Sequence, residues 1–255
     1  VLSAIPKASP WPRACWLPGM FEPLQTPRVF GLAPGVDFPA ALVEGLRARL
    51  AGSPPEATAR VDLIVNTRRM ERRLREIYDA GPAGLLPRIR LLTDLDGLAP
   101  HLAPPPATAA LRRRLELIQL ISKLLDTDST LAPRTSLYAL SDSLAALFDE
   151  MQSEGVPAEA IISLDVSDQS GHWARAQRFI QIAEAFLAQT DGPSDPEARQ
   201  RQIVTQLVAQ WQENPPTHPI ILAGSTGSRG TTGLLMQAIA RLPQGAVILP
   251  GFDMD

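Results

Sequence analysis

Cysteine is all but absent from this chain. Cys15 stands alone, which excludes an intrachain disulfide and any cysteine-built metal cage, and it suits a reducing, cytoplasmic setting. Lysine is nearly as scarce: Lys7 and Lys123 are the only two among 24 basic residues, and neither follows a glycine. A nucleotide loop of the Gly-Lys-Ser/Thr kind therefore has no candidate. The three histidines, His101, His172 and His218, lie too far apart for any local metal-ligand spacing. No apolar run approaches the roughly 18–20 residues that a helical membrane span needs. The formal net charge of -3 gives no global pull toward nucleic acid. Residues 1–19 lack the cationic start, apolar middle and small-residue cleavage site of a secretory leader.

What is present is enough chain for one large domain or two small ones, with 25 prolines marking its joints. Proline and two of the four tryptophans crowd the first residues without periodicity, and Met20-Phe21-Glu22 reads as the natural start. Residues 1–27 are expected to form an extension, disordered in part. The most organised stretch lies at the other end. Pro219-Ile-Ile-Leu-Ala-Gly-Ser-Thr-Gly-Ser-Arg-Gly-Thr-Thr-Gly233 reads as a buried strand and a glycine-rich turn. A helix follows, with Leu234, Leu235, Ile239 and Leu242 at helical spacing and Thr231 or Thr232 as its cap, and then a second strand over Ala246–Leu249. Parallel sheets covered by helices are built from such crossovers. The chain stops just past that second strand, so it is expected to be part of a longer protein.

The N-terminal part repeats the pattern. Strands are expected over Arg28–Leu32, Val61–Val65 and Arg88–Leu92, with helices between them. The first helix carries Phe38, Leu42, Leu46 and Leu50 on one stripe, with Asp37 near its start; the second runs from Arg68 to about Asp79 behind Asn66-Thr67. Between Pro100–Pro106 and Asn214–Pro219 no strand signal occurs. Thr108–Leu125, Thr135–Glu154, Gly171–Ala188 and Asp195–Glu213 show helical periodicity, with a short helix at Pro157–Ile162. The expected architecture is an α/β domain over 28–100 and 216–255, a parallel sheet flanked by helices, interrupted by an all-helical insert over 101–215.

Few residues carry catalytic chemistry. The glycine-rich turn Gly224, Ser225, Thr226, Gly227 first suggests a phosphate cradle, but Arg229-Gly-Thr-Thr stands where a P-loop needs lysine. Gly224, Gly227 and Gly230 also miss the dinucleotide spacing, and Thr226 replaces the first glycine of a nucleophile elbow. A flexible turn without nucleotide is the stronger reading; a phosphate-ligand or nucleotide-binding enzyme using Gly224–Gly233 is the alternative. The first βα turn, with Pro34, Gly35 and Asp37, has one glycine and no lysine. The basic helix is more promising: Thr67 is followed by Arg68, Arg69, Arg72, Arg73 and Arg75, of which Arg68, Arg72 and Arg75 share a face. Guanidiniums at a helix start can hold nucleic-acid phosphates; the competing reading is a solvated face paired with Glu71 and Glu76. Arg112-Arg113-Arg114 forms a second cluster, with Glu116 and Asp126 nearby as structural partners, and Asp253 and Asp255 alone support little.

Several segments together resemble a known family. Val29-Phe-Gly-Leu-Ala-Pro-Gly-Val-Asp-Phe38, Val65-Asn-Thr-Arg-Arg69, Leu85-Leu-Pro-Arg-Ile-Arg90, His172-Trp173, Ala223-Gly-Ser-Thr-Gly-Ser228 and Val247-Ile-Leu-Pro-Gly-Phe-Asp253 are similar to the AddB family, the second subunit of the bacterial AddAB helicase–nuclease. The resemblance spans residues 20 to 255. It implies a degenerate, superfamily 1 helicase-like (P-loop) half of a double-strand break repair subunit, with an AddA-type subunit and DNA as partners. It also implies that the Ala33–Asp37 turn replaces the Walker A loop, that Ile220–Gly224 replaces the Walker B strand without its acidic pair, and that Thr67, Arg68 and Arg69 touch single-stranded DNA, with Arg72 of the same basic helix as a further candidate contact. On this resemblance the fragment is no enzyme and binds no cofactor; the iron–sulfur cluster and magnesium of the nuclease are expected only beyond residue 255.

Overall fold

The computed structural model describes residues 9–10, 20–22, 26–102, 104–157, 159–160, 163, 195–228 and 230–252. The helix expected over Gly171–Ala188 and most of that at Pro157–Ile162 lie outside them, as do His172-Trp173, Arg229, Asp253 and Asp255. The described residues divide into two compact units, one of 1–102 with 204–255 and one of 103–203.

The first unit is built on a parallel sheet. Its strands are β1 (Ser9–Pro10), β2 (Val29–Gly31), β3 (Asp62–Val65), β4 (Arg88–Leu91), β5 (Ile220–Ala223) and β6 (Gly245–Leu249), in the order β1-β2-β6-β5-β3-β4. Ser9–Pro10 pairs with Phe30–Gly31 at one edge, so a piece of the N-terminal extension joins the sheet; a proline is tolerated there because an edge strand needs no donor on its outer side. The central strands β3 and β5 are apolar along their whole length and buried at every residue, as a sheet covered on both faces demands. Leu63, Ile64, Ile221 and Ala246 have no exposed surface. Burying each large aliphatic side chain contributes about 2 kcal/mol.

Two helices lie on one face. α1 (Phe38–Leu50) and α2 (Arg68–Asp79) bury Leu42, Leu46, Met70 and Leu74 in one cluster with Leu63, Val65, Ile221 and Ile248. Successive strand residues point to opposite faces, so Ile64, Ile220, Leu222 and Val247 form the other one. Right-handed crossovers put α6 (Gly230–Arg241) on that second face, where Leu235 and Ile239 are fully buried. Thr231 and Thr232 do not cap α6. They lie buried inside its first turn, which begins one residue earlier at Gly230.

Buried arginine ties the chain before β2 to this unit. Arg28 is 4% exposed and its Nη1 donates to the Leu242 carbonyl at 2.8 Å; its Nη2 donates to the Glu22 carbonyl. Its guanidinium carbon sits 5.3 Å from the Phe21 ring centre, and burial lowers its pKa from the usual arginine value. The Gln244 amide pairs with Phe21 twice, accepting from its N–H at 3.1 Å and donating to its carbonyl at 3.0 Å.

In the second unit α3 (Ala110–Thr127) and α4 (Leu137–Glu154) pack through Leu117, Ile121, Leu125, Leu144 and Phe148. Gly155, at φ +69°, ends α4 in the left-handed conformation that frees its last carbonyls for the following N–H groups. The arginine cluster on α3 is structural here: Arg112 meets Glu116 at 2.8 Å, Arg114 meets Asp142 at 2.8 Å, and Arg113 meets Asp149 and Asp195. Asp126, expected among these partners, instead pairs with Arg134. α5 (Pro196–Glu213) opens with Asp195 accepting from the Ala198 N–H at 2.7 Å, and its residues are divided between the two units. No helix among the described residues is long and apolar enough to cross a membrane.

Candidate nucleic-acid interface

The strand order itself selects a place for a ligand. The crossover from β3 through α2 runs outward to β4, whereas that from β5 through α6 runs the opposite way to β6. The adjacent strands β3 and β5 therefore form a topological switch point, and open α/β sheets bind ligands in the crevice outside the carboxyl ends of such strands. A cavity of about 550 Å³ opens there. It draws on four strand ends: Asp37 after β2, Asn66 and Thr67 after β3, Gly224 after β5 and Pro250 after β6. The Asn66 side-chain amide donates to the Gly224 carbonyl and so bridges the two strands of the switch point.

Local chemistry explains each turn. Gly224 has φ +82°, and a Cβ there would lie 2.8 Å from Met70 Sδ and 3.4 Å from Asn66 Oδ1. Glycine is needed for conformation and for space. Replacing Gly224 with alanine is expected to cost about 2 kcal/mol from the left-handed backbone alone, read as an earlier midpoint in urea unfolding. A cost below about 0.5 kcal/mol would contradict the tight packing of this turn.

At the head of α2, Thr67 Oγ1 accepts from the Met70 N–H at 3.2 Å, an N-cap that leaves the hydroxyl proton to donate. The five arginines behind it are not equivalent. Arg75 meets Glu71 at 3.0 Å, Arg72 meets Glu76 at 3.9 Å, and Arg73 meets Asp37 at 3.5 Å and Glu76 at 3.6 Å. Arg68 and Arg69 are exposed and have no carboxylate partner among the described residues. Arg69, Arg72 and Arg73 line the cavity; Arg68 and Arg75 do not. The cationic lining is thus offset from the Arg68, Arg72 and Arg75 stripe, because buried Met70 and Leu74 fix which way α2 is turned.

The first βα turn offers little to a nucleotide. Asp37 caps α1 with its own carboxylate, accepting from the Ala40 N–H at 3.3 Å, and Pro39 in the first turn has no N–H. Pro34 and Gly35 do not line the cavity; Gly35, at φ +81°, has open space around its Cα. Phe252 lies against Gly31, where a Cβ would meet its ring at 2.8 Å, so the head of β2 is filled by a side chain. Beyond β5, Ser225, Thr226 and Gly227 lie outside the cavity lining, and Ser225 Oγ already accepts from the Gly227 N–H at 3.3 Å. The residues that hold a magnesium nucleotide are a lysine in the loop and an acidic pair after the Walker B strand. Neither stands here, so the site does not fit one. With one cysteine in the chain, no iron–sulfur ligand set fits either.

Sequence patterns gave no hint of a buried clasp at the opposite end of the same strands. Asp62 is 4% exposed, accepts from Arg90 Nε at 3.0 Å and lies 2.8 Å from His218 Nε2. The one available signal was an acid opening an otherwise apolar run.

A scan against protein-family models and a search of curated proteins find no match for the chain.

Proposed function

We propose that this chain is the helicase-like portion of an AddB-type subunit, a non-hydrolysing scaffold that holds single-stranded DNA during double-strand break processing in the cytoplasm. An AddA-type motor is its partner, and residues 101–215 are a helical insert in the helicase-like sequence. The observation that carries this reading is convergence. Pieces of four sequence-distant segments of the resemblance, Asp37, Asn66-Thr67 with Arg69, Gly224 and Pro250, meet at one crevice in which Arg69 is the lining cation with no carboxylate partner among the described residues.

The chemistry is that of backbone recognition. A phosphodiester oxygen at the head of α2 would accept from the Thr67 hydroxyl, from helix-start N–H groups and from Arg69, all without reading a base. Arg68 adds charge just outside the cavity, and Arg72, half engaged by Glu76, adds less. The absent lysine and acidic pair leave no route to ATP hydrolysis in this half.

Titration of the chain with a fluorescent oligothymidylate tests the reading. Micromolar binding is expected, weakening with salt at a log–log slope of about -2, as two to three phosphate contacts on a single strand give. Arg69→Ala should weaken binding several-fold and Arg72→Ala less. ATP binding at micromolar affinity in place of DNA binding would overturn the reading in favour of the phosphate-ligand alternative.

A further inference from the structure

Asp37 occupies a double position. Its carboxylate caps α1 through Oδ1 and meets Arg73 Nη2 at 3.5 Å through Oδ2, on the rim of the switch-point cavity. It supplies negative charge to the two features of that rim most attractive to an anion, a helix N-terminus and a guanidinium. The other carboxylate lining the cavity, Glu76, lies 3.6 Å from Arg73 and 3.9 Å from Arg72. Arg69 is left as the one lining cation without a carboxylate partner among the described residues.

We infer that Asp37 is a specificity-determining residue: a built-in anion that holds Arg73 back and makes the crevice reject multiply charged phosphates while Arg69 still takes single phosphodiesters. This rests on the nucleic-acid reading for its ligand, but not for its test. A phosphodiester brings one negative charge to each contact and can be met by one guanidinium. A triphosphate concentrates several charges and needs several cations at once. With Arg73 engaged and a fixed carboxylate beside it, such a ligand meets repulsion where it most needs a partner. Specificity against the wrong ligand is commonly obtained this way, by a repulsive group as much as by an attractive one. Side-chain exposures of 49% for Arg73 and 53% for Asp37 mean that this pair is not a packing element of the core. Its exposed geometry is worth little to stability.

The test is direct titration with inorganic tripolyphosphate, followed by calorimetry at about 0.15 M salt, where charges more than about 8 Å apart are largely screened. Asp37→Asn is the informative variant, because asparagine caps a helix as well as aspartate does and the fold is retained. The variant is expected to bind tripolyphosphate at least tenfold more tightly than the unaltered chain. It should also steepen the salt dependence of oligothymidylate binding by about 0.7, the increment for one further phosphate contact on a single strand. Adding Arg73→Gln should abolish the gain. Glu44→Gln, the same charge change two turns along α1 at an exposed position, should produce no gain. Equal tripolyphosphate affinity with and without Asp37→Asn overturns the inference, as does a gain that survives Arg73→Gln or appears equally in Glu44→Gln. If tripolyphosphate binding rises as expected while oligothymidylate binds neither protein, the nucleic-acid reading fails and the role of Asp37 stands.

Discussion

Asp62→Ala is expected to lower the stability of the protein by about 3 kcal/mol, because it strands the Arg90 guanidinium and takes away the partner of the His218 ring at once. Removing one partner of a buried ion pair costs about 3–5 kcal/mol, most of it the penalty of leaving the other charge uncompensated. The lower end applies here, since Arg90 and His218 keep 26% and 38% of their side-chain surface and can recover some hydration. The loss reaches beyond one strand. Asp62 opens β3, Arg90 lies on its neighbour β4, and His218 precedes β5 on the other side, so one carboxylate clasps three adjacent strands. For a chain of this size the expected fall in Tm is roughly 6–12 °C. Asp62→Asn keeps one acceptor and should lose about half as much by the same reasoning. A drop under about 1 kcal/mol for the alanine variant in urea unfolding would show that solvent replaces the clasp.

The second large effect separates binding from stability. Arg68 and Arg69 open α2 in its first turn, where the helix dipole already presents positive charge. Two cations there, without a carboxylate partner among the described residues, oppose the dipole. They are a local fault of the kind that persists where a site needs it. Replacing both with glutamate is expected to raise stability by about 1 kcal/mol, since acids at a helix start contribute about 0.3–1 kcal/mol each and repulsion between neighbouring acids offsets part of this. The same variant should lose oligothymidylate binding by at least a hundredfold in low salt, because the cation lining the crevice and the one just outside it both become repulsive. Opposite signs of the two changes are the signature. Unchanged DNA affinity in the more stable variant would reduce the arginines to a solvated face.

The contrast between these two sites shows what one sequence makes readable. The sheet strands announce themselves as short apolar, β-branched runs bounded by turns, and Val61–Val65 and Ile220–Leu222 fall within a residue or so of β3 and β5. Thr67 is legible as a cap because capping is a three-residue event, and the α2 arginines because five of them fall within eight residues. Their pairing was only half legible. Glu71 and Glu76 lie within one turn of their partners, but Asp37 reaches Arg73 from 36 residues away. The side of α2 that meets the cavity depends on how Met70 and Leu74 dock, which is a tertiary property. The Asp62 clasp joins residues separated by 28 and 156 positions, and no local pattern encodes it. Even the crevice follows from strand order rather than from any motif.

That strand order also governs when the sheet can exist. β5 and β6 fill the space between β2 and β3, so the first two βα units are made with a gap two strands wide between them, about 10 Å across. At ribosomal rates of roughly 5–20 residues per second, the chain emerging after Val65 needs on the order of ten to thirty seconds to deliver Ile220. During that interval the facing edges of β2 and β3 stay unpaired and the apolar face above them stays open, a template for wrong strand pairing. The helices α3 and α4 close through contacts near in sequence and can form meanwhile. The late arrival of two short strands therefore leaves the sheet unit open to mispairing for as long as residues 66–219 are being made.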